Sequence, residues 1–128
     1  MIRIEHTAVY VTDLEGAKAF FQAYFGAAAG ARYHNRNTGF ESYFLTFGSG
    51  CRLEVMTRPG LVQGDSSTLR TGYAHIAFSL GSKEAVDALT ARMQQDGYAV
   101  LSGPRITGDG YYESWIAGPE GIQLELSV

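Results

Sequence analysis

The stretch that decides the fold is present twice in this chain: residues 4–11 are IEHTAVYV and residues 73–80 are YAHIAFSL. His6 and His75 stand 69 positions apart, since 75 − 6 = 69, and each is followed two residues later by alanine. Both copies are largely apolar and alternate like β-strands, whose side chains point to opposite faces in turn. A single match of this kind can arise by chance, so the interpretation depends on the residues downstream of each copy.

A helical pattern comes after each of the two strands. Asp13 and Ser82, also 69 positions apart, are residue types that cap helix N-termini by accepting a hydrogen bond from a free backbone N–H. Gly26 and Gly97 suit the left-handed conformation at helix C-termini and mark the two ends. The apolar stripes expected to face the core are Leu14, Ala17, Phe20, Phe21, Tyr24 and Phe25 in the first helix and Val86, Leu89 and Met93 in the second.

The matches continue downstream of the helices. FESYF at 40–44 parallels YESWI at 112–116, and GCRLEV at 50–55 parallels GIQLEL at 121–126. Matches in one order at offsets of 69 to 72 indicate an internal duplication with small changes in loop length. The predicted elements are strands at 2–11, 31–35, 40–47, 51–57, 72–80, 98–102, 111–117 and 121–127, with helices at 14–25 and 83–96.

The connecting segments complete the predicted organisation. Residues 57–71, rich in Gly, Ser and Pro, are predicted to link one module at 1–58 to a second at 72–128. Residues 103–110 hold three glycines and a proline and are predicted to form a loop, a candidate mobile flap. We therefore expect a single α+β domain over residues 1–128.

Composition excludes several classes of function. The net charge of −3 and pI near 5.5 do not provide the basic face that nucleic acid requires, and Lys and Arg are scattered rather than clustered for a membrane surface. The start of the chain lacks the pattern of a secretion signal. Cys51 is the only cysteine, which excludes an internal disulfide; we expect a small buried residue there, and a cytoplasmic location.

Four polar residues occupy equivalent positions of the two halves: His6, Glu54, His75 and Glu125. Strand alternation places Glu54, His75 and Glu125 opposite apolar side chains that can pack under the helices, and it does so in part for His6. A lone histidine or glutamate in a strand is more simply a core or solvent-exposed residue, but two matched pairs in a duplicated unit indicate a shared role. Two imidazoles and two carboxylates suit a divalent transition metal better than calcium or a thiophilic ion.

These residues lie in motifs that resemble a known superfamily, the vicinal oxygen chelate proteins, also called the glyoxalase/bleomycin-resistance/dioxygenase superfamily. The resemblance implies two tandem βαβββ modules that form curved mixed sheets around a metal-binding cleft. The four predicted ligands fall on the metal positions of its glyoxalase I branch, and Glu54 distinguishes that branch from the fosfomycin-modifying and dioxygenase branches. The motifs are EHTAVYVTDLEGAKAFF at 5–21, RLEVM at 52–56, GYAHIAFSL at 72–80 and GPEGIQLEL at 118–126.

The resemblance implies a metal-dependent, glyoxalase I-like lyase or isomerase that acts on a small oxygenated substrate. One divalent ion (Ni, Zn, Co, Mn or Fe) would chelate neighbouring substrate oxygens, and a ligand glutamate would transfer a proton through an enediolate. Glu125 and Glu54 are the two candidates for this base. The resemblance also implies a homodimer, with the ligands supplied by one chain or by two.

Two departures from the branch concern glutathione. The glutathione-using enzymes typically carry arginine where this chain has Tyr10 and asparagine where it has Arg58, so use of glutathione is left open. Tyr10, Arg58, Tyr111 and Trp115 are the predicted substrate-binding residues. Two alternatives remain open: a thiol transferase or dioxygenase of another branch, and a metal-free protein that binds a drug or ligand, as bleomycin-resistance members do.

Overall fold

The first half of the chain folds as a helix on a mixed sheet. In the computed structural model, which describes residues 1–65 and 69–128, residues Met1–Gln63 form one compact unit and Gly64–Val128 form another. The elements of the first unit are β1 (His6–Tyr10), α1 (Leu14–Phe25), β2 (Ala28–Ala29), β3 (Tyr33–His34), β4 (Glu41–Thr46) and β5 (Arg52–Thr57). Their sheet has the order β1-β5-β4-β2, with β3 also paired to β4; β1 and β5 are parallel and the other pairs are antiparallel.

The second unit repeats this plan. Its elements are β6 (Ile76–Ser79), α2 (Lys83–Gln95), β7 (Val100–Ile106), β8 (Tyr112–Ala117), a 3₁₀ turn at Pro119–Gly121 and β9 (Gln123–Ser127). The sheet has the order β6-β9-β8-β7, and again the first and last strands of the unit are parallel neighbours. The chain is therefore an α+β protein with two mixed sheets and a helix in each unit.

Three of the four predicted helix ends are confirmed, and α2 ends at Gln95, one residue before its predicted end. The Asp13 carboxylate accepts a hydrogen bond from the backbone N–H of Gly16 at 2.9 Å, and the Ser82 hydroxyl accepts one from Ala85 at 3.1 Å. Gly26 ends α1 with φ +63, the left-handed conformation that favours glycine. Within the described residues, neither helix is long and apolar enough to cross a membrane.

Each helix covers one face of its own sheet, and the glutamates of β5 and β9 lie on the other face. Burial alternates along β5 and β9, where leucine and valine are buried while each intervening glutamate stays partly exposed. This alternation is the two-residue period that the sequence predicts. The buried apolar side chains include Leu14, Ala17, Phe20 and Phe21 of α1, Val86 and Met93 of α2, and Leu45, Leu53, Val55, Ile116, Leu124 and Leu126 of the strands.

Several strand boundaries differ from the prediction. The first strand of each half is shorter than expected, since β1 begins at His6 and β6 begins only at Ile76. The predicted strand 31–35 is reduced to Tyr33–His34. The predicted link at 57–71 joins the two units, and its residues 66–68 lie outside the described part of the chain.

The prediction of a loop over 103–110 is wrong for the first four residues of that segment. Strand β7 runs through them to Ile106, with shifts of register against β8. Gly103 has φ +81, and a Cβ there would lie 2.6 Å from the carbonyl oxygen of Glu113, so only glycine fits. Proline is tolerated in β7 because β7 is the edge strand of its sheet and its register against β8 shifts between Ser102 and Arg105. The Gly-Pro pair therefore marks an irregular edge strand.

Candidate metal centre

In the first unit, His6 and Glu54 project from neighbouring parallel strands. The register pairs His6 with Arg52 and Ala8 with Glu54, so the two side chains lie on the same face two residues apart. His6 Nε2 and Glu54 Oε1 are 4.0 Å apart, and the small side chain of Ala8 lies beside the pair. The Glu54 side chain is only 14% exposed, against 40% for His6, so the carboxylate lies deeper than the imidazole.

His6 is held on two further sides. Its Nδ1 contacts Glu5 Oε2 at 2.5 Å, and its ring meets the Phe44 ring edge-on at 5.3 Å. Glu5 also accepts hydrogen bonds from the guanidinium of Arg52, which lies over the Phe44 ring. The hydrogen bond with His6, together with the Arg52 charge, lowers the pKa of Glu5. The outward ring nitrogen of His6 is thus occupied by a carboxylate while Nε2 faces Glu54.

In the second unit, His75 and Glu125 form the equivalent pair. Glu125 pairs with Ala77 across the parallel strands β6 and β9, and His75 immediately precedes β6. His75 Nε2 and Glu125 Oε2 are 3.2 Å apart. Trp115 of β8 lies opposite Glu125 and packs its ring 4.9 Å from that of His75, the place that Phe44 takes beside His6.

A second buried carboxylate adjoins Glu125, and the sequence did not identify it. The Trp115 indole N–H donates to Glu125 Oε2 at 3.1 Å and to Glu113 Oε2 at 3.0 Å. Glu113 is only 8% exposed. Burial raises the pKa of Glu125, and the Glu113 carboxyl raises it further, against the opposing effects of His75 and the Trp115 N–H. The signal that could have revealed Glu113 is alternation, which puts it on the same face of β8 as Trp115.

The alignment of the two halves needs a correction of one residue in this strand. Matching FESYF to YESWI pairs Glu41 with Glu113, at an offset of 72. The registers instead place Phe44 opposite Glu54 and Trp115 opposite Glu125, which is an offset of 71. The two short motifs share a Glu-Ser pair, and this local sequence similarity gives the alignment that the strand registers correct by one residue.

The predicted substrate-binding residues have different surroundings. Trp115 lies against the His75–Glu125 pair. Tyr10 ends β1 on the face of His6, half exposed, and Arg58 follows β5 and is exposed. Tyr111 precedes β8, exposed, with its backbone N–H donating to the Thr107 hydroxyl. Cys51, expected to be buried, is exposed, because it precedes the first paired residue of β5.

The donor chemistry of both pairs fits a transition metal. Two ligand atoms about 2.1 Å from one ion lie about 3.0 Å apart at a right angle and about 3.4 Å apart at a tetrahedral angle. The 3.2 Å spacing in the second unit falls in that range, while the 4.0 Å spacing in the first unit is wider. Among residues 1–65 and 69–128, no three His, Cys, Asp or Glu side chains are arranged to hold one ion. The structure therefore brings the four predicted ligands together as a pair within each unit.

Known proteins of this fold include enzymes with named activities. The trypanothione-dependent glyoxalase I of Leishmania major matches with a TM-score of 0.79 at 22% identity, over 99% of this chain and 86% of that one. The fosfomycin resistance protein FosX of Listeria monocytogenes matches with a TM-score of 0.70 at 25% identity, over 98% of this chain and 89% of that one. At this level of identity the likeness establishes the glyoxalase-like fold.

Sequence comparison identifies the family. YqjT of Bacillus subtilis (strain 168), described as an uncharacterized protein, is 26% identical over 130 residues, which cover 96% of each chain. The family model described as Glyoxalase/Bleomycin resistance protein/Dioxygenase superfamily matches residues 3–126. This match spans both units, including all four predicted ligands. The chain therefore belongs to the glyoxalase/bleomycin resistance protein/dioxygenase superfamily.

Proposed function

We propose that this protein is a metal-dependent, glyoxalase I-like lyase or isomerase that acts on a small oxygenated substrate. The observation that carries the proposal is the repeated pair: His6 with Glu54 and His75 with Glu125, each a ring Nε2 facing a carboxylate oxygen on the helix-free side of its sheet. Superfamily membership supports the general class, and the likeness to glyoxalase I supports the specific reaction.

The two pairs together are proposed to ligate one divalent transition-metal ion, with Ni, Zn, Co, Mn and Fe as the candidates. Such an ion, when bound, polarises a substrate carbonyl and stabilises negative charge on oxygen. The carboxylates of Glu54 and Glu125 are the candidates for moving a proton between adjacent substrate carbons. Burial on the sheet face limits access of water to both carboxylates, which are 14% and 19% exposed.

Metal stoichiometry tests whether the pairs act together. Protein stripped with a chelator and reloaded separately with each candidate metal should bind one ion per chain. His75→Ala should then weaken the single site as strongly as His6→Ala does. Two ions per chain, with each variant losing one of them, would show two independent pairs. Binding far below one ion per chain with every metal would end the proposal in favour of a metal-free binding protein.

A homodimer is part of the proposal. The strands β1 and β6 each form an edge of their own sheet, and an exposed edge strand offers unpaired backbone groups to another strand. A complementation experiment distinguishes ligands from one chain from ligands from two. A chain carrying His6→Ala and Glu54→Ala is mixed with one carrying His75→Ala and Glu125→Ala. If each site draws on two chains, mixing restores metal binding to some of the sites. If dimers of one variant with the other form and metal binding is not restored, all four ligands of a site come from one chain.

Turnover assays with a panel of related compounds would identify the class of substrate. The hemithioacetals of glutathione and of trypanothione with a 2-oxoaldehyde come first, because one neighbour in fold is a trypanothione-dependent glyoxalase I. We expect weak or no turnover with glutathione, since Tyr10 replaces the arginine typical of glutathione users. The likeness to FosX favours a second candidate, action on fosfomycin with or without a thiol, so fosfomycin completes the panel.

The proposed location is the cytoplasm. The chain has a single cysteine and therefore no internal disulfide of the kind that stabilises many secreted proteins. Fractionation of cells carrying the tagged protein would test this, and recovery outside the cytoplasmic fraction would contradict it.

A further inference from the structure

The Glu5 carboxylate, which is not one of the four predicted ligands, contacts the nitrogen of His6 that does not face Glu54. Glu5 Oε2 lies 2.5 Å from Nδ1 of His6, on the far side of the ring from Nε2. The other oxygen of Glu5 accepts from Arg52, at 2.7 Å from Nε and 2.5 Å from Nη2. The carboxylate is therefore held by two partners at once, one through each oxygen.

Arg52 is itself fixed in place. Its guanidinium lies 4.1 Å from the centre of the Phe44 ring, and that ring meets the His6 ring edge-on. The backbone N–H of Arg52 also donates to the carbonyl of Glu5 at 3.0 Å, next to the parallel pairing that sets His6 opposite Arg52. The four side chains thus form a closed ring of contacts in which each has two neighbours.

The contact between Glu5 and His6 determines which nitrogen of the neutral His6 imidazole carries the proton. An ionised carboxylate only accepts hydrogen bonds, so Nδ1 of His6 must carry the N–H that meets Glu5. Nε2 then keeps its lone pair, on the side that faces Glu54 at 4.0 Å. Metals bind neutral imidazole through the unprotonated nitrogen, and a hydrogen bond at the other nitrogen selects which one that is.

We propose that Glu5, clamped by Arg52, is a positioning residue that fixes His6 as the Nδ1–H tautomer and presents Nε2 to the metal. This inference rests on the proposed function, since it takes His6 to be a ligand. At the equivalent positions of the second unit, Ala74 precedes His75 and Gln123 stands where Arg52 does, so these two positions do not supply a carboxylate and a guanidinium. The proposal therefore concerns His6 alone.

Two substitutions separate positioning from a general structural role. Glu5→Ala removes the acceptor and frees the imidazole to take either tautomer. Glu5→Gln keeps the size but reverses the polarity: Arg52 only donates, so it attracts the amide oxygen and turns the NH₂ group toward His6. That NH₂ favours an unprotonated Nδ1, which places the proton on Nε2 where the metal should bind. The nearly isosteric variant is therefore expected to be the more damaging of the two.

The first readout is the tautomer of His6 in metal-free protein. Imidazole ¹⁵N shifts are recorded as the pH is raised until they stop changing, so that the tautomer is read on the neutral ring. We expect the Nδ1–H form in the unmodified protein, a mixture in Glu5→Ala and mainly the Nε2–H form in Glu5→Gln. Glu15→Gln is the matched control, because Glu15 is a carboxylate of the same unit with two partners, Tyr43 and Lys18, away from His6. It should leave the His6 shifts unchanged.

The second readout is affinity for Zn²⁺ alone, measured by competition with a chelator. Loss of an outer-shell partner of a ligating histidine typically costs about 10- to 100-fold in affinity. We expect a loss of about tenfold for Glu5→Ala, a larger one for Glu5→Gln and none for Glu15→Gln. An Nε2–H form in the unmodified protein, or His6 shifts that ignore both Glu5 substitutions, would overturn the inference, as would a changed tautomer with unchanged affinity. If no variant binds Zn²⁺ the proposed function fails, and the ¹⁵N shifts still decide the role of Glu5.

Discussion

Replacing Glu113 by glutamine should stabilise the metal-free protein. The Glu113 carboxyl is buried, and it shares the single N–H of Trp115 with Glu125. The Trp115 N–H is divided between the two carboxyl groups, and the Glu113 carboxyl raises the pKa of Glu125, whereas the NH₂ group of glutamine adds donors to the cluster. The substitution therefore exchanges a repulsive neighbour of Glu125 for one that can donate to it.

The magnitude follows from the burial of the two groups. A hydrogen bond to a charged group contributes about 1.5–3 kcal/mol to stability. The Glu125 side chain is 19% exposed, so solvent screens part of this and we expect about 1–2 kcal/mol for Glu113→Gln near neutral pH. In a domain of this size that corresponds to a rise of about 3–8 °C in Tm.

The effect should depend on pH in a defined direction. The pKa of Glu125 is raised by folding, so the folded state favours its protonated form. The associated stability is present below the ordinary value of 4.5 and is lost as pH rises through the raised value. Glu113→Gln removes part of the cause of that rise. The stability advantage of the variant should consequently be small near pH 4 and should grow toward pH 7.

The assay is urea denaturation of chelator-treated protein, followed by circular dichroism across this pH range. Glu41→Gln is the matched control, because the Glu41 side chain is 20% exposed and lies beside Arg32 and His34. Loss of its charge removes an attraction, so this variant should be no more stable than the unmodified protein near neutral pH. A Glu113→Gln protein that is less stable near pH 7, or whose advantage is the same at both ends of the range, would refute the reasoning.

Three further outcomes are expected. Replacing Glu125 or Glu54 by glutamine keeps an oxygen donor at that position. The variant that removes the proton-transfer base should therefore retain most of its metal and lose about 10²–10⁴-fold in kcat. Equal losses of kcat in both variants that track metal occupancy would exclude both residues as the base. His75→Ala should lower metal affinity in a chelator competition, and an unchanged affinity would remove His75 from the ligand set. Phe21→Ala should cost about 3–5 kcal/mol in urea denaturation, because this side chain of α1 is fully buried, and a loss below about 1 kcal/mol would contradict that packing.

Periodicity predicted most of the fold and the strands that carry the four proposed ligands. Glu54 and Glu125 sit in strands with one face under a helix, where the alternation of buried and exposed residues is regular. The helix caps at Asp13 and Ser82 were equally predictable, because their hydrogen bonds are local and depend on residue type.

The remaining features depend on contacts that no local pattern records. Glu5 and Arg52 meet across 47 positions of sequence through the parallel pairing of two strands. Position 103 requires glycine because its backbone, within strand β7, passes close to the carbonyl oxygen of Glu113. Composition alone predicted a loop there. Glu113 was missed because a shared Glu-Ser pair shifted the alignment of the halves by one residue, and in a strand one residue reverses the face.

Trp115 gives the second unit an optical reporter of its own. It is the only tryptophan in the chain, and its indole contacts both His75 and Glu125. Its fluorescence should therefore respond when an ion takes these side chains as ligands, with quenching by open-shell ions such as Ni²⁺ and a spectral shift with the closed-shell Zn²⁺. The first unit has Phe44 at the equivalent place, so its pair contributes no comparable emission. The fluorescence of Trp115 would therefore report metal binding at the proposed His75–Glu125 ligand pair in the unlabelled protein.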